Sequence, residues 1–185
     1  QIQDTYKEET LDIVEKYPYQ LVEDIQGIGF KIADHLAEEL GIQSDAPERF
    51  RAGLIYTLLT QSMERGDTYV EARDLLEHTI ELLESSRQVE LDPSLVADEL
   101  AHLIEEDKVQ NVETKIFENS LFFAEEGIKS NLVRLLEKGE QDCFDADNIT
   151  AAIQQVEESS GISYDSIQKE AIRQAINQKV FILTG

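Results

Sequence analysis

The sequence predicts a mainly α-helical protein with one small β-hairpin near the middle of the chain. Over most of its length, apolar residues recur at the three- and four-residue spacing of an amphipathic helix. Proline and glycine residues divide these stretches where helices are expected to begin and end. Only a few short runs have the pattern of strands. We therefore expect helices to carry the fold.

The composition is that of a folded protein. The 185 residues are 41% hydrophobic and 30% charged, which is enough to bury the core of one domain or two small ones. No run of 18 apolar residues occurs, and no basic segment followed by an apolar one opens the chain. The single cysteine, Cys143, has no partner for an internal disulfide. We expect a soluble, cytoplasmic protein that has no membrane partner.

The charge balance is strongly acidic, with a formal net charge of -23 from 16 basic and 39 acidic residues. Proteins that hold nucleic acid by charge usually carry an excess of lysine and arginine. Any contact with DNA must therefore be local, be made through backbone groups, or belong to other parts of a larger protein. The charge alone argues against strong nonspecific DNA binding.

The first half of the chain is predicted to contain five helices separated by proline and glycine. Pro18 interrupts the first helical pattern, Gly41 ends the third and Pro47 opens the fourth. A turn at Gly66 and Asp67 precedes the fifth. These helices are predicted at residues 10–16, 19–24, 30–40, 47–65 and 71–84.

The second half is predicted to combine helices, the β-hairpin and a final strand. Asp92 and Pro93 have the pattern of an N-cap and a first helical residue. The polar stretch at 138–149 has no periodicity and is the best candidate for a linker. The predicted elements are a helix at 93–106, strands at 109–112 and 115–118, helices at 119–137, 149–158 and 165–177, and a strand at 180–183.

The most specific local pattern is an apolar residue, a spacer and Gly27-Ile28-Gly29, followed by Lys31 and Ala33. It resembles the helix-hairpin-helix DNA-binding motif. Two glycines allow a tight turn that brings backbone N–H groups close to a phosphate, and a helix N-terminus favours an anion. Such a site contacts the DNA backbone rather than the bases. The predicted DNA-binding residues are Gln26, Gly27, Ile28, Gly29 and Lys31.

A simpler interpretation of this motif stays open. Gly27 and Gly29 would also serve a tight turn between two helices that contacts no ligand. The surroundings favour that reading, because acidic residues outnumber basic ones between residues 16 and 40. This segment contains two lysines, Lys16 and Lys31, and five acidic residues, Glu23, Asp24, Asp34, Glu38 and Glu39.

The middle of the chain has the element order of a winged helix. Three helices followed by a β-hairpin are expected between residues 46 and 119. In DNA readers the third helix enters the major groove. Here that helix contains no lysine or arginine and several acidic residues, so phosphates would repel it. We therefore interpret this unit as a packing or spacer domain.

The last stretch of the chain resembles the beginning of a superfamily 1 helicase motor. Tyr164 to Ile172 is followed, about ten residues later, by the apolar run Val180 to Leu183 and by Gly185. In that family, a glutamine at the place of Gln168 contacts adenine, and the strand leads into the phosphate-binding loop. The resemblance makes Gly185 the first glycine of that loop, so that the chain would stop there.

The helix-hairpin-helix motif, followed along the chain by this helicase-like stretch, resembles the long form of the RecD-like ATP-dependent DNA helicases. Three stretches carry the likeness, at residues 17–34, 120–128 and 168–185. The resemblance implies 5′-to-3′ unwinding in DNA repair, with ATP and Mg²⁺ as ligands of the parent enzyme. We expect the chain alone to bind neither cofactor and to be inactive, because the lysine and the Mg²⁺-holding hydroxyl of the loop are absent from it.

These interpretations divide the chain into four predicted parts. They are a helix-hairpin-helix region at 1–45, a winged-helix-like domain at 46–119, connecting helices and a linker at 120–160, and the start of a truncated P-loop motor domain at 161–185. DNA, single-stranded or forked, is the partner that the resemblance implies for the parent.

Two other functional classes compete with the helicase accessory region. The first is an acidic interaction module, whose surface binds a protein partner without contacting DNA. The second is a repair nuclease or a transcription factor built on the same small folds. Neither a basic recognition helix nor metal-ligand spacing supports this second class. No metal site is expected, because His35, His78 and His102 lie far apart in the sequence.

Overall fold

The computed structural model describes residues 14–25, 27–137 and 144–184, except for the side chains of residues 23 and 24. It divides into two compact units, residues 1–123 and residues 124–185. Both are mainly helical, and the first also contains a three-stranded antiparallel sheet. The predicted mainly α fold class is confirmed. Among the described helices, none combines the length and the apolar character needed to cross a membrane.

Residues 14–16 of the first unit are helical, two short helices follow, and the unit continues as a helical layer on a small sheet. Its elements are α1 (Gln20–Asp24), α2 (Phe30–Glu39), α3 (Pro47–Arg65), β1 (Tyr69–Glu71), α4 (Ala72–Arg87), α5 (Pro93–Glu105), β2 (Val109–Val112) and β3 (Lys115–Glu118). Helix α3 begins at its predicted proline and ends at Gly66, which has a φ of 71°. The Asp92 side chain caps α5 by accepting from the Ser94 amide, as its position predicted.

The sheet has the strand order β1-β3-β2. The β2–β3 hairpin forms at the predicted residues, with Val109 opposite Glu118. Strand β1 was not predicted; it pairs with β3 and places Val70 opposite Ile116. It has only three residues, so its own sequence pattern is too short to reveal a strand. Helix α3, β1, α4, α5 and the β2–β3 hairpin follow one another in the element order predicted for a winged helix, and we call them the winged-helix unit.

One hydrophobic core extends through the helix-hairpin-helix region and the winged-helix unit. Helix α2 contributes Phe30, Ala33 and Ala37 to the same buried cluster as the winged-helix side chains. The main contributors from that unit are Phe50, Leu54, Leu58, Val70, Leu75, Leu83, Val96, Leu100, Leu103, Val109 and Ile116. Helices α3 and α4 pack closely at Gly53, where a Cβ would lie 2.9 Å from the Leu83 Cδ2 atom. The turn between α1 and α2 is therefore supported by the same core as the winged-helix unit.

Helix α6 (Asn119–Glu137) begins in the first unit and continues into the second, which also contains α7 (Ala146–Ser160) and α8 (Ser166–Ile176). In the second unit, α7 buries Ile149 and Ile153. The linker predicted at 138–149 is too long, because α7 already begins at Ala146. The remaining linker residues at 138–143, including Cys143, lie outside the described residues.

The strand predicted at residues 180–183 is wrong for the described part of the chain. Residues 178–184 form no strand, and Ile182 and Leu183 are exposed. An apolar run becomes a strand only when a neighbouring strand receives its backbone hydrogen bonds. No described residue of the second unit supplies one. Gly185 lies outside the described residues.

Candidate nucleic-acid interface

The hairpin between α1 and α2 is closed by one backbone contact and one left-handed glycine. The Ile28 amide donates to the Ile25 carbonyl oxygen at 3.1 Å. Gly27 has a φ of 97°, which side chains of L-residues rarely allow, so the turn itself requires a glycine at this position. Ile28 is partly buried and packs against the core. Gln26, the first of the predicted contact residues, lies outside the described residues.

Gly29 differs from Gly27, because neither the backbone nor the packing requires a glycine there. Its φ of -83° and ψ of 166° belong to the extended region that all residues adopt. A Cβ at this position would lie 3.6 Å from the Tyr56 hydroxyl oxygen, which is an ordinary contact. Gly29 is partly exposed, and no side chain narrows the approach to its backbone.

Those amides form the start of α2. Gly29 is the N-cap, and no side chain caps the helix. The Ile32 and Ala33 amides donate to the Gly29 carbonyl oxygen at 3.1 and 3.4 Å, whereas the Phe30 and Lys31 amides have no acceptor among the described residues. Such unpaired donors are typical of a helix start, and the aligned peptide dipoles leave partial positive charge there.

A surface pocket of about 250 Å³ lies at this helix start. Its lining residues are Gly29, Phe30, Lys31, Ile32, Tyr56 and Leu82. The Tyr56 ring packs against the Phe30 ring, with 5.9 Å between the ring centroids. Lys31 is exposed. The pocket combines free backbone donors, an ammonium group and an aromatic wall, which are groups that suit an anionic oxygen.

Asp34, one of the acidic residues counted near the hairpin in the sequence, does not lie on the surface. Its side chain is fully buried and pairs with Arg49 Nε and Arg87 Nη2, each at 2.8 Å. The Tyr19 hydroxyl also donates to Asp34 Oδ1, at 2.8 Å. The count was wrong here because charge alone does not tell on which face of a helix a residue lies. The surface around the hairpin is less acidic than the sequence indicated.

The surroundings of this buried carboxylate keep it ionised. Burial alone would raise the pKa of Asp34, but hydrogen bonds from Arg49, Ser86 and Tyr19 outweigh that effect and hold the pKa below its usual 3.8. Burial, followed by the bond to the Asp34 carboxylate, raises the pKa of the Tyr19 hydroxyl, which therefore remains protonated. The cluster contains one carboxylate and two guanidinium groups.

Two of the carboxylates on and after α5 are engaged in ion pairs within the first unit. Arg51 of α3 donates from Nε to Glu99 at 2.7 Å and from Nη1 to Glu106 at 2.8 Å. Asp98 and Glu105 remain exposed, and α5 contains no lysine or arginine. The helix that a winged-helix protein would insert into DNA thus presents acidic groups, which agrees with the interpretation of a packing domain.

Gln168 lies in the first turn of α8, where it takes part in a capping box. Its Oε1 atom accepts from the Asp165 amide at 3.0 Å, while Asp165 Oδ1 accepts from the Ile167 and Gln168 amides. One half of the side-chain amide is therefore engaged in helix capping. Its NH₂ group has no acceptor among the described residues and stays free to donate to a ligand.

Tyr56 and Arg87 are not among the site residues that the sequence predicts. Tyr56 lies on the partly exposed face of a long helix, and no local pattern connects it with the hairpin. Arg87 is in the last turn of α4, where a basic residue is expected for the helix dipole alone. Only pairing between residues far apart in the chain would have revealed their positions.

The comparison with known families points to the same region. Residues 1–69 match the family model described as the ATP-dependent RecD2 DNA helicase HHH domain. The match includes the complete hairpin and the whole of α3. This part of the chain is similar to the N-terminal helix-hairpin-helix region of RecD2 helicases, and the similarity supports a parent protein that is an ATP-dependent DNA helicase.

Proposed function

We propose that the chain is an accessory region of an ATP-dependent DNA helicase, and that its hairpin binds the DNA backbone independently of sequence. The observation that carries this proposal is the open start of α2 at Gly29, within the stretch that matches the helicase domain. A glycine that no backbone angle or neighbouring atom requires is what the close approach of a ligand would need. A turn without a ligand explains Gly27 but not Gly29.

In the proposed contact, the Phe30 and Lys31 amides donate to phosphate oxygens, and the Lys31 ammonium group adds a charge. Gly27 and Ile28 hold the turn in shape, and Gly29 lets the phosphate approach. Gln26 stays a predicted contact that the described residues do not include. Because every donor faces the backbone of DNA, the contact reads no bases. It also needs few cations, so a net charge of -23 does not prevent it.

For the parent enzyme we propose 5′-to-3′ unwinding in DNA repair, driven by ATP with Mg²⁺, in the cytoplasm. Gln168 would bind adenine, and Gly185 would open the phosphate-binding loop. The free NH₂ group of Gln168 supports an adenine contact in which the side chain donates to a ring nitrogen. Of the proposed ATP site, only Gln168 belongs to the described residues.

A second candidate function is that of an acidic module that binds a protein partner. The exposed Asp98 and Glu105 on α5 favour it, because this helix has no lysine or arginine to offset them. In this case the chain would have no affinity for DNA even at low salt. The two functions therefore make opposite predictions for one binding measurement.

The test is a titration of labelled forked and single-stranded DNA with the 185-residue chain, at several salt concentrations. We expect binding that weakens with salt and does not depend on sequence. Lys31→Glu should weaken it about tenfold or more, since a favourable charge becomes a repulsive one beside the phosphate. Lys108→Glu makes the same charge change at an exposed site of the winged-helix unit and is the matched control.

Equal losses in the two variants would mean that overall charge, and not the hairpin, governs binding. The absence of binding at low salt would contradict the DNA role and favour the acidic module. Unwinding by the parent enzyme gives an independent check, because Lys31→Glu should lower it while Lys108→Glu should not.

A further inference from the structure

A single arginine of the winged-helix unit is bonded to three places in the helix-hairpin-helix region. Arg87, at the end of α4, has a side chain that is only 3% exposed. Its Nη2 atom donates to Asp34 Oδ1 at 2.8 Å and to the Tyr19 hydroxyl at 3.2 Å. Its Nη1 atom donates to the Ile42 carbonyl oxygen at 2.6 Å. The contacts lie before α1, within α2 and after α2.

The second buried arginine has a different set of partners. Arg49 donates to both Asp34 oxygens, but also to the Ser44 carbonyl oxygen and, at 2.6 Å, to the Leu83 carbonyl oxygen of α4. It therefore holds the winged-helix unit together as well. Among the described residues, the Arg87 side chain bonds only to Tyr19, Asp34 and Ile42.

The Arg87 contact on α2 is close to the candidate phosphate site. Asp34 lies about one helical turn after Phe30 and Lys31, whose amides are the proposed donors. A rotation of α2 about its axis would turn those amides and the Lys31 side chain away from a phosphate held by the rest of the hairpin. The planar fork of an arginine is suited to resist this rotation, because it fixes several acceptors in one plane.

We infer that Arg87 is a positioning residue, which orients α2 so that the hairpin amides and Lys31 contact the DNA backbone together. This inference rests on the proposed function. Arg87 itself is buried and does not touch DNA. Its removal should leave the fold intact, since Asp34 then keeps a one-to-one ion pair with Arg49.

The test is a double-mutant cycle between Arg87→Gln and Lys31→Gln in the 185-residue chain, with forked DNA as the probe and the dissociation constant measured against salt. We expect Arg87→Gln to weaken binding about tenfold, through the loss of the Lys31 contact that it orients. It should also lower the slope of log K against log salt by about one, as Lys31→Gln does. The double variant should bind like either single variant.

Arg87→Lys keeps the charge and is the second variant, should Arg87→Gln fail to fold. A compact ammonium group cannot span the three acceptors, so we expect the same change in slope. Arg65→Gln, at the exposed end of α3, is the control and should change neither quantity.

The outcomes separate the two proposals. If Lys31→Gln has no effect on binding, the proposed function fails, and the inference falls with it. Suppose that Lys31→Gln weakens binding, that the Arg87 variants leave the salt slope unchanged, and that their effects on the binding free energy add to that of Lys31→Gln. In that case only the inference fails. A purely structural role for Arg87 would give this second result, because it would reduce the folded fraction without removing a particular ionic contact.

Discussion

Replacement of Asp34 by asparagine tests the buried cluster on which the hairpin depends. The carboxylate accepts from Arg49, Arg87 and Tyr19, and both the Asp34 and Arg49 side chains are fully buried. Asparagine has nearly the same shape but no charge, so two guanidinium groups would stay buried without a counter-ion. Removing one partner of a buried ion pair costs about 3–5 kcal/mol. The total stability of a domain is about 5–15 kcal/mol, so the loss should be large.

Thermal and urea unfolding, followed by circular dichroism, measure this effect. For a unit of this size we expect a drop in the melting temperature of about 10–25 °C for Asp34→Asn. Glu39→Gln is the matched control: it removes a charge from an exposed site on the same helix and should change stability by less than about 0.5 kcal/mol. If Asp34→Asn were as mild as this control, the cluster would contribute little and the account of the hairpin's support would be refuted.

Gly29→Ala should leave the melting temperature unchanged but weaken DNA binding, whereas Gly27→Ala should cost about 1 kcal/mol or more of stability because of its positive φ. Acid should destabilise the first unit, because the pKa of Asp34 is lowered in the folded state. The stability that the ionised carboxylate contributes is complete above pH 3.8 and is lost as the pH falls through the folded-state pKa. In urea titrations at a series of acidic pH values, the stability of Asp34→Asn should therefore depend less on pH than that of the unsubstituted chain. Asp165→Ala should cost about 1 kcal/mol through loss of the α8 cap, measured as faster amide exchange in that helix.

The sequence could predict what local chemistry determines. Helices bounded by Pro47, by Pro93 and by Gly66 were predicted within a residue or two, since these residues act on the backbone at their own position. The hairpin at 109–118 was equally local, because its two short strands are neighbours in the chain. Strand β1 could not be found, as it exists only through pairing with a segment more than forty residues away.

The candidate site shows the same division. The glycines and Lys31 were predicted from their spacing, but the pocket beside them is also lined by Tyr56 of α3 and Leu82 of α4. Arg87 lies 53 positions from Asp34 in the sequence, and no periodic pattern links the two. The final strand at 180–183 failed for a related reason: its apolar run fits a strand, but the described residues offer no neighbour for it.

The proposed phosphate contact is compatible with the acidic composition of the chain. Net charge acts at long range and is screened within about 8 Å at physiological salt, whereas a phosphate in the pocket at α2 meets donors at hydrogen-bond distance. Several of the acidic groups counted against DNA binding, including Asp34 and Glu99, are engaged with arginines inside the first unit. For the proposed contact, the charges of the residues close to Lys31 therefore matter more than the net charge of -23. Under the proposed function, the chain should therefore bind DNA weakly and only at the start of α2.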